Sequence, residues 1–137
     1  MSMLDLTNIK DDIENAEEPK VLPSGEEFEL RIISVNTGTD KNDRDYFMPV
    51  FEVPSEPMAK EFSDFFAIPN KSKMTEKDYK RALYKIRLFV QAFDIDLARP
   101  IDYEDDLPGQ TGWAILGVRK DDTYGEQNTI RKYIAGH

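Results

Sequence analysis

The residue types that most often carry catalysis are nearly absent from this sequence. The chain has no cysteine, and its one histidine is His137. Cysteine nucleophiles and cysteine-based zinc sites are therefore excluded. The stretch LPGQTG lacks the lysine and the spacing of a phosphate-binding loop. The sequence accordingly predicts a protein that is not an enzyme and has no cofactor.

Four carboxylates lie close together in the stretch DYEDD, namely Asp102, Glu104, Asp105 and Asp106. Oxygen ligands suit calcium or magnesium, but the spacing of a calcium-binding loop is missing. We interpret the stretch as a solvated loop, and no metal site is predicted.

Aromatic and basic side chains offer a different chemistry. The chain has eight phenylalanines, six tyrosines and one tryptophan, more rings than a core of this size needs. Single-stranded nucleic acid is bound by such sets, because bases stack on rings while lysine and arginine neutralise phosphates. Each stacked base contributes about 1–3 kcal/mol. A few exposed rings beside a few cations are therefore sufficient, even in a protein with a net charge of −9.

Eleven side chains are candidates for such a surface. Tyr46 and Phe47 are consecutive in a predicted strand, so one of them must point away from the core. Arg131 and Tyr133 alternate with isoleucines and would share the outward face of the last strand. The predicted nucleic-acid-binding residues are Arg31, Lys41, Arg44, Tyr46, Phe47, Trp113, Arg119, Lys120, Tyr124, Arg131 and Tyr133.

Several of these candidates also have a purely structural interpretation. The outward member of the Tyr46–Phe47 pair could pack against the N-terminal segment. Trp113 shares a strand face with Ile115 and could belong to the core, and Tyr124 could be a plain turn residue. The basic side of the predicted helix, residues 77–87, is typical of a solvated helix face.

Hydrophobic periodicity predicts the elements that position these residues. Residues 26–38, 44–54 and 59–69 have the pattern of three strands, and residues 111–121 and 128–135 of two more. Between the two groups lies the helix MTEKDYKRALYKIRLFVQAFDID.

Two local signals refine this assignment. Pro49 lacks a backbone donor, so the second strand must be an edge or carry a bulge there. Thr75 and Asp78 form a capping pattern at the start of the helix. Three strands, a helix and two strands is the order of the OB-fold. The sequence therefore predicts a mainly β protein, a five-stranded OB-type β-barrel with one helix between strands 3 and 4, although another α+β sheet is compatible.

Length and charge predict the organisation of the chain. A length of 137 residues suits one domain. Residues 1–24 carry six acids and two bases, and the stretch ENAEEPKVLPSGEE at their end has two prolines and a glycine, which break a helix. We predict an acidic N-terminal arm at 1–24 and the OB-fold domain at 25–137. The sequence has neither the pattern of a signal peptide nor an apolar run of about 18 residues, which predicts a cytoplasmic protein without membrane contact.

Three stretches carry a family resemblance: LPSGEEFELRIISV, FVQAFDID and LPGQTGWAILGVRKDDTYGEQNTIRKYI. From about residue 20 onward the chain resembles the single-OB-fold, single-stranded-DNA-binding proteins of bacteriophages and prophages. The resemblance implies sequence-tolerant binding of single-stranded DNA in phage replication or recombination, in the host cytoplasm. It implies contacts on the strands and on the two loops that hold Lys41, Arg44, Lys120 and Tyr124.

One feature departs from that family. Its members often end in an acidic tail that recruits partners, whereas this chain ends RKYIAGH. Recruitment could be absent, a tail could have been removed, or the acidic arm could bind replication or recombination proteins. The sequence also leaves open a homodimer.

Two alternatives to DNA binding remain. The protein could be an acidic interaction protein, a DNA mimic or adaptor, that binds a replication or host protein through its aromatic strand face. A structural virion component is the weaker alternative and depends only on the family resemblance.

Overall fold

A computed structural model describes residues 2–137; Met1, the first residue of the predicted arm, lies outside the described residues. The described chain is mainly β, with one antiparallel sheet and two α-helices. In chain order the elements are a 3-10 turn at Thr7–Ile9, α1 (Lys10–Glu14), β1 (Glu27–Thr39), β2 (Asp45–Glu52), β3 (Phe62–Ser63), β4 (Phe66–Ala67), α2 (Glu76–Ala92), β5 (Thr111–Asp121) and β6 (Gly125–Ile134).

The sheet has the strand order β3-β2-β1-β5-β6, and β4 also pairs with β2. β1 is central because one part of it pairs with β2 and the other with β5. Within residues 2–137 no ladder joins β3 to β6, so the sheet is not closed into a barrel, contrary to the prediction. No helix in these residues is long and apolar enough to cross a membrane.

The predicted third strand is interrupted, so the sheet has six strands where five were predicted. β3 pairs with Val50 and Phe51, and β4 pairs with Tyr46 and Phe47. Pro49 lies between these two pairings and has no N–H to donate, while its carbonyl accepts the backbone N–H of Asp64 at 3.3 Å. β2 is therefore an unpaired edge at Pro49, one of the two predicted arrangements, and the bulge in the β1–β2 ladder lies elsewhere, between Ile32 and Ser34.

Helix α2 covers one face of the sheet. It begins where predicted, because Thr75 Oγ1 accepts the backbone N–H of Asp78 at 3.1 Å. Its buried Phe89 has ring contacts to Phe47, Phe66 and Tyr133, with centroids 4.8–6.2 Å apart. We call the sheet face under α2 the inner face and the opposite one the outer face.

The segment before β1 is attached to the sheet. Lys20 exchanges two backbone hydrogen bonds with the segment 58–60. Leu22 is buried. The side-chain amide of the buried Asn128 accepts the backbone N–H of Leu22 at 2.8 Å and donates to the Leu22 carbonyl at 2.9 Å. Residues 20–24 of the predicted arm thus contact the domain. By contrast, the 3-10 turn and α1 contact only each other among the helices and strands of residues 2–137.

Candidate nucleic-acid interface

Strand β2 has an apolar outer face that is partly exposed to solvent. Phe47 and Phe51 point to the inner face, where they are buried. Alternation therefore places Tyr46, Met48 and Val50 on the outer face, and all three are half-buried. Within residues 2–137, the only elements whose backbones lie beside β2 are β1, β3 and β4. This surface is therefore partly accessible to a ligand.

An aromatic pair lies at one end of this surface. The Tyr46 and Phe65 rings are tilted by 36° with centroids 5.0 Å apart, and Phe65 is 40% exposed. Across the ladder, Gly38 is the partner of Tyr46. A Cβ on Gly38 would lie 2.7 Å from the Tyr46 hydroxyl oxygen and 2.9 Å from Cζ. The glycine therefore leaves room for the tyrosine ring to lie across β1.

The neighbouring outer positions carry little net charge. Ser34 and Asn36 of β1 pair with Val50 and Met48 in the ladder. Arg31 pairs with Glu52, and its Nε donates to a Glu52 carboxylate oxygen at 2.6 Å. Arg31 is thus on the outer face, but Glu52 neutralises its charge.

The loop 40–44 lies at the Tyr46 end of β2 and contributes one free cation. Lys41 is exposed and has no acidic group within 4.0 Å in the part of the chain that the structure describes. Arg44 is engaged in the fold: its Nε donates to the Lys73 carbonyl at 3.2 Å, and its Nη2 lies 3.5 Å from Asp78. Lys41 is the better candidate for a phosphate contact.

The hairpin 121–125 lies toward the other end of β2. Lys60, two residues before β3, donates its Nζ to the Tyr124 carbonyl at 2.9 Å, and β3 pairs with the C-terminal part of β2. Tyr124 is 69% exposed. Hydrogen bonds from the backbone N–H groups of Tyr124 and Thr123 hold the pKa of Asp121 below its usual range, which keeps the carboxylate that shapes the turn ionised. Arg119 and Lys120 are exposed on β5 beside it.

Trp113 is on the outer face but is partly covered. Its ring stacks on the imidazole of His137 with centroids 3.6 Å apart and planes 2° apart. His137 Nε2 lies 3.3 Å from Glu27 Oε2. The His137 imidazole therefore covers one face of the Trp113 indole and is stacked on it as a nucleic-acid base would be.

Two of the predicted binding residues, Phe47 and Tyr133, belong to the core. Phe47 is only 8% exposed and stacks on Phe66 with centroids 4.9 Å apart. Tyr133 is 7% exposed, and its hydroxyl donates to Asp64 Oδ2 at 2.6 Å. Neither ring presents a face to a base.

The prediction that Arg131 and Tyr133 share a face fails because β6 has a bulge. Ile115 pairs with Lys132, but Leu116 pairs with Ile130, so Arg131 is the extra residue. A bulge shifts the inside–outside alternation by one position. Tyr133 consequently points inward, while Arg131 remains exposed, with its Cβ 3.8 Å from where a Gly117 Cβ would be.

The predicted residues form separate groups. Lys41 and Tyr46 are at one end of β2, the hairpin residues Arg119, Lys120 and Tyr124 lie toward the other, and Trp113 and Arg131 are on the β5–β6 part of the sheet. Sequence reasoning missed Phe65, Met48, Val50, Lys60 and His137. Strand alternation identifies Met48 and Val50, whereas the contacts of Lys60 and His137 are long-range and leave no local signal.

The acidic stretch 102–106 forms a hydrogen-bonded turn. Asp106 accepts the backbone N–H of Asp102 at 2.7 Å, and Asp102 accepts those of Glu104 and Asp105. The bond from Asp102 lowers the pKa of Asp106. Within residues 2–137 no group of three or more acidic or histidine side chains is placed to hold a metal ion.

Comparisons with known proteins give no family assignment. No protein-family model matches the chain, and no curated protein matches its sequence.

Proposed function

We propose that this protein binds single-stranded DNA in a sequence-tolerant manner on the outer face of β1 and β2. The observation that carries the proposal is the partly exposed apolar strip of Tyr46, Phe65, Met48 and Val50. Bases stack on Tyr46 and Phe65, since aromatic platforms accept every base. Lys41 contacts the backbone at one end of the strip, and Arg119 contacts it at the other, because alternation from Trp113 puts Arg119 on the outer face.

The distribution of charge supports this proposal in spite of the acidic composition. Residues 1–18 hold six acidic side chains and one basic one, so five of the nine net negative charges are in the N-terminal segment. Four further acids are in the turn 102–106. Where β1 pairs with β2, the outer face has only the Arg31–Glu52 pair, which is internally neutralised, whereas Glu27 and Glu29 lie farther along β1, beside β5. Phosphates near this face therefore meet little repulsion from the sheet itself.

We also propose that the sheet is an open variant of the OB arrangement. The supporting observations are that β1 pairs with both β2 and β5, that β5 and β6 form a hairpin, and that α2 lies between β4 and β5 in the chain. In OB-folds the ligand lies on one sheet face between two hairpin loops. The corresponding loops here are 40–44 and 121–125. A role in phage replication or recombination remains part of this proposal.

The proposal is tested with a fluorescently labelled dT oligonucleotide of about 15 nucleotides, near the upper site size of an OB-fold. We expect Phe65→Ala to weaken binding roughly 5- to 100-fold, because the variant loses the stacking of about one base. Lys41→Ala should weaken binding and reduce the slope of affinity against salt by about one. Leu97→Ala is the control, because Leu97 is exposed in the loop after α2, away from the outer face.

Two results would contradict the proposal. One is wild-type affinity in both Phe65→Ala and Lys41→Ala, with folding verified by circular dichroism. The other is an affinity that stays constant from low to high salt, because phosphate contacts release counterions. The same titration with duplex DNA measures the preference for single strands.

The acidic interaction protein remains the second candidate. The observation that favours it is the N-terminal segment, in which Met3 and Leu4 are more than 80% exposed among acidic neighbours. This candidate gains support if neither single-stranded nor duplex DNA shifts the protein in a gel.

A further inference from the structure

The N-terminal segment has an apolar face without a partner in its own molecule. Leu6, Ile9 and Ile13 follow helical spacing through the 3-10 turn and α1, and each is more than 40% exposed. Helices this short are marginal in water and depend on packing of an apolar face. The segment therefore needs a surface on which to dock. We call residues 2–18 the acidic segment.

The charge of the acidic segment restricts what that surface can be. Lys10 is its one basic residue and lies 3.8 Å from Glu14. Five other carboxylates remain, and Asp11 and Asp12 are among those with no basic group within 4.0 Å in residues 2–137. A surface that fits this segment must combine exposed apolar side chains with several cations.

The exposed side of α2 has this combination. Leu83 and Tyr84 are 45% and 59% exposed. At helical spacing around them lie four cations and one acid, which are Lys77, Lys80, Arg81, Arg87 and Glu76. Glu76 is bonded to Lys80 at 3.1 Å, and the other three cations have no acidic group within 4.0 Å in the described chain. We call this surface the basic face of α2.

We propose that the acidic segment of one molecule docks on the basic face of α2 of a second copy, and that reciprocal docking forms a dimer. Leu6, Ile9 and Ile13 pack against Leu83 and Tyr84 of the other molecule, while the carboxylates pair with the surrounding cations. In two copies related by a two-fold axis, each acidic segment contacts the basic face of the other molecule, so no segment and no face is left without a partner. The proposal does not depend on DNA binding.

The connection between α1 and the domain favours a second copy over the same molecule. Only residues 15–19 separate α1 from Lys20, which two backbone bonds hold to the segment 58–60. Five residues extend at most about 18 Å, and Pro19 restricts the last of them. In this structure α1 contacts neither a strand of the sheet nor its own α2.

The proposal is tested by sedimentation equilibrium of the full chain without DNA, from about 5 to about 200 µM, the range of weak protein association. We expect the mass to rise from the monomer value of 15.8 kDa toward twice that value at about 0.01 M salt. It should return to the monomer value at about 1 M salt, where the screening length falls to about 3 Å.

Charge reversal separates docking between copies from docking within one molecule. Asp11→Lys with Asp12→Lys, and separately Lys77→Glu with Arg81→Glu, should each give a monomer. An equimolar mixture of the two doubly substituted proteins should form a heterodimer, because the introduced lysines then face the introduced glutamates while the unchanged acidic segment faces the unchanged basic face. Leu83→Ser should also dissociate the dimer, whereas Leu97→Ser, at another exposed leucine, should not.

Three results would overturn the proposal. They are a wild-type protein that stays monomeric at low salt, a dimer that persists when residues 2–18 are deleted, and a mixture of the charge-reversed proteins that remains monomeric. All substituted positions are exposed, so each variant is expected to keep the circular dichroism spectrum of the wild type.

Discussion

The hydroxyl of Tyr133 on β6 donates to Asp64 Oδ2 at 2.6 Å, and this bond links the two edges of the sheet that no ladder joins. Asp64 lies between β3 and β4, and its other carboxylate oxygen accepts Lys85 Nζ from α2 at 2.9 Å. Lys85 also donates to the Phe65 carbonyl. The Asp64 carboxylate therefore connects β6, α2 and the link between β3 and β4. These side-chain bonds join the two sheet edges, which have no backbone ladder between them.

Loss of this bond should measurably destabilise the fold. Tyr133→Phe keeps the ring contacts and removes only the hydroxyl. A hydrogen bond to a charged group contributes about 1.5–3 kcal/mol, so we expect the free energy of unfolding in urea to fall by that amount. Tyr124→Phe is the control and should change it by less than about 0.5 kcal/mol, because Tyr124 is exposed. Equal stabilities of the two variants would show that the bond contributes nothing.

Tyr133 should also make stability fall at alkaline pH. Burial, followed by the charge of Asp64 and the hydrogen bond to it, raises the pKa of Tyr133 well above its ordinary value. Above about pH 10 the unfolded chain loses this proton while the folded protein keeps it. The unfolded state then binds fewer protons, so the free energy of unfolding decreases as pH rises, by up to about 1.4 kcal/mol per pH unit.

Tyr133→Phe isolates this contribution. Burial and the charge of Asp45 raise the pKa of Tyr103 as well, but Tyr103 is present in both proteins. The difference in urea stability between the wild type and Tyr133→Phe should therefore be constant from about pH 7 to about pH 9 and should shrink above about pH 10. Parallel stability curves across this range would contradict the assignment.

The parts of the fold that could be predicted from sequence are those with a local periodic signal. The first strand, the start of α2 and the β5–β6 hairpin are confirmed within one to three residues. Thr75 was identifiable because its cap lies three residues from its partner. In the site, alternation correctly requires that one of Tyr46 and Phe47 points outward, although it cannot say which one.

The parts that could not be predicted depend on pairing between distant residues. The bulge at Arg131 is set by the register between β5 and β6, and no local pattern in β6 reveals it. Asp64 interrupts an apolar alternation, and its partner Tyr133 is 69 residues away. From the sequence, Arg44 is predicted to be an unpaired cation in a loop, because its contacts with Lys73 and Asp78 involve residues that are distant in the chain. The prediction of a closed barrel was wrong because closure requires a ladder between β3 and β6, which are distant in the chain, and no local pattern shows whether they pair.

Gly38→Ala should weaken DNA binding without removing any proposed contact residue. The new methyl group would lie 2.7 Å from the Tyr46 hydroxyl oxygen, so the phenol ring must move off β1. We expect dT affinity to fall about fivefold or more, toward the loss of one stacked base. Gly109→Ala is an unsuitable control because Gly109 has a φ of +93°. Thr37→Ala, at an exposed β1 position that pairs with the inward-facing Phe47, should bind with wild-type affinity.

The outcome of Gly38→Ala distinguishes a binding role of Tyr46 from a structural one. If Tyr46 serves only to pack against Phe65, the substitution lowers urea stability and leaves dT affinity unchanged. If Tyr46 stacks on a base, affinity falls at temperatures where the variant is fully folded. Tyr46→Phe should retain affinity, since the ring and not the hydroxyl carries the stacking.

His137→Ala should strengthen DNA binding if Trp113 is a stacking platform. The imidazole occupies one face of the indole, with centroids 3.6 Å apart, and a base reaches that face only after the histidine leaves. An aromatic pair contributes about 0.5–1.5 kcal/mol beyond its buried area, so removing the imidazole should tighten dT binding roughly twofold to tenfold. Trp113 is the only tryptophan, so its fluorescence follows the exchange directly.

Glu27→Gln separates the stacking from the ion pair in the same test. Glu27 lies 3.3 Å from the imidazole without covering the indole, so its substitution should change dT affinity less than His137→Ala does. In His137→Ala the oligonucleotide should quench tryptophan fluorescence more strongly than in the wild type, because a base then contacts the ring face that the histidine covered. Unchanged quenching together with unchanged affinity would place DNA away from Trp113 and confine the interface to β1 and β2.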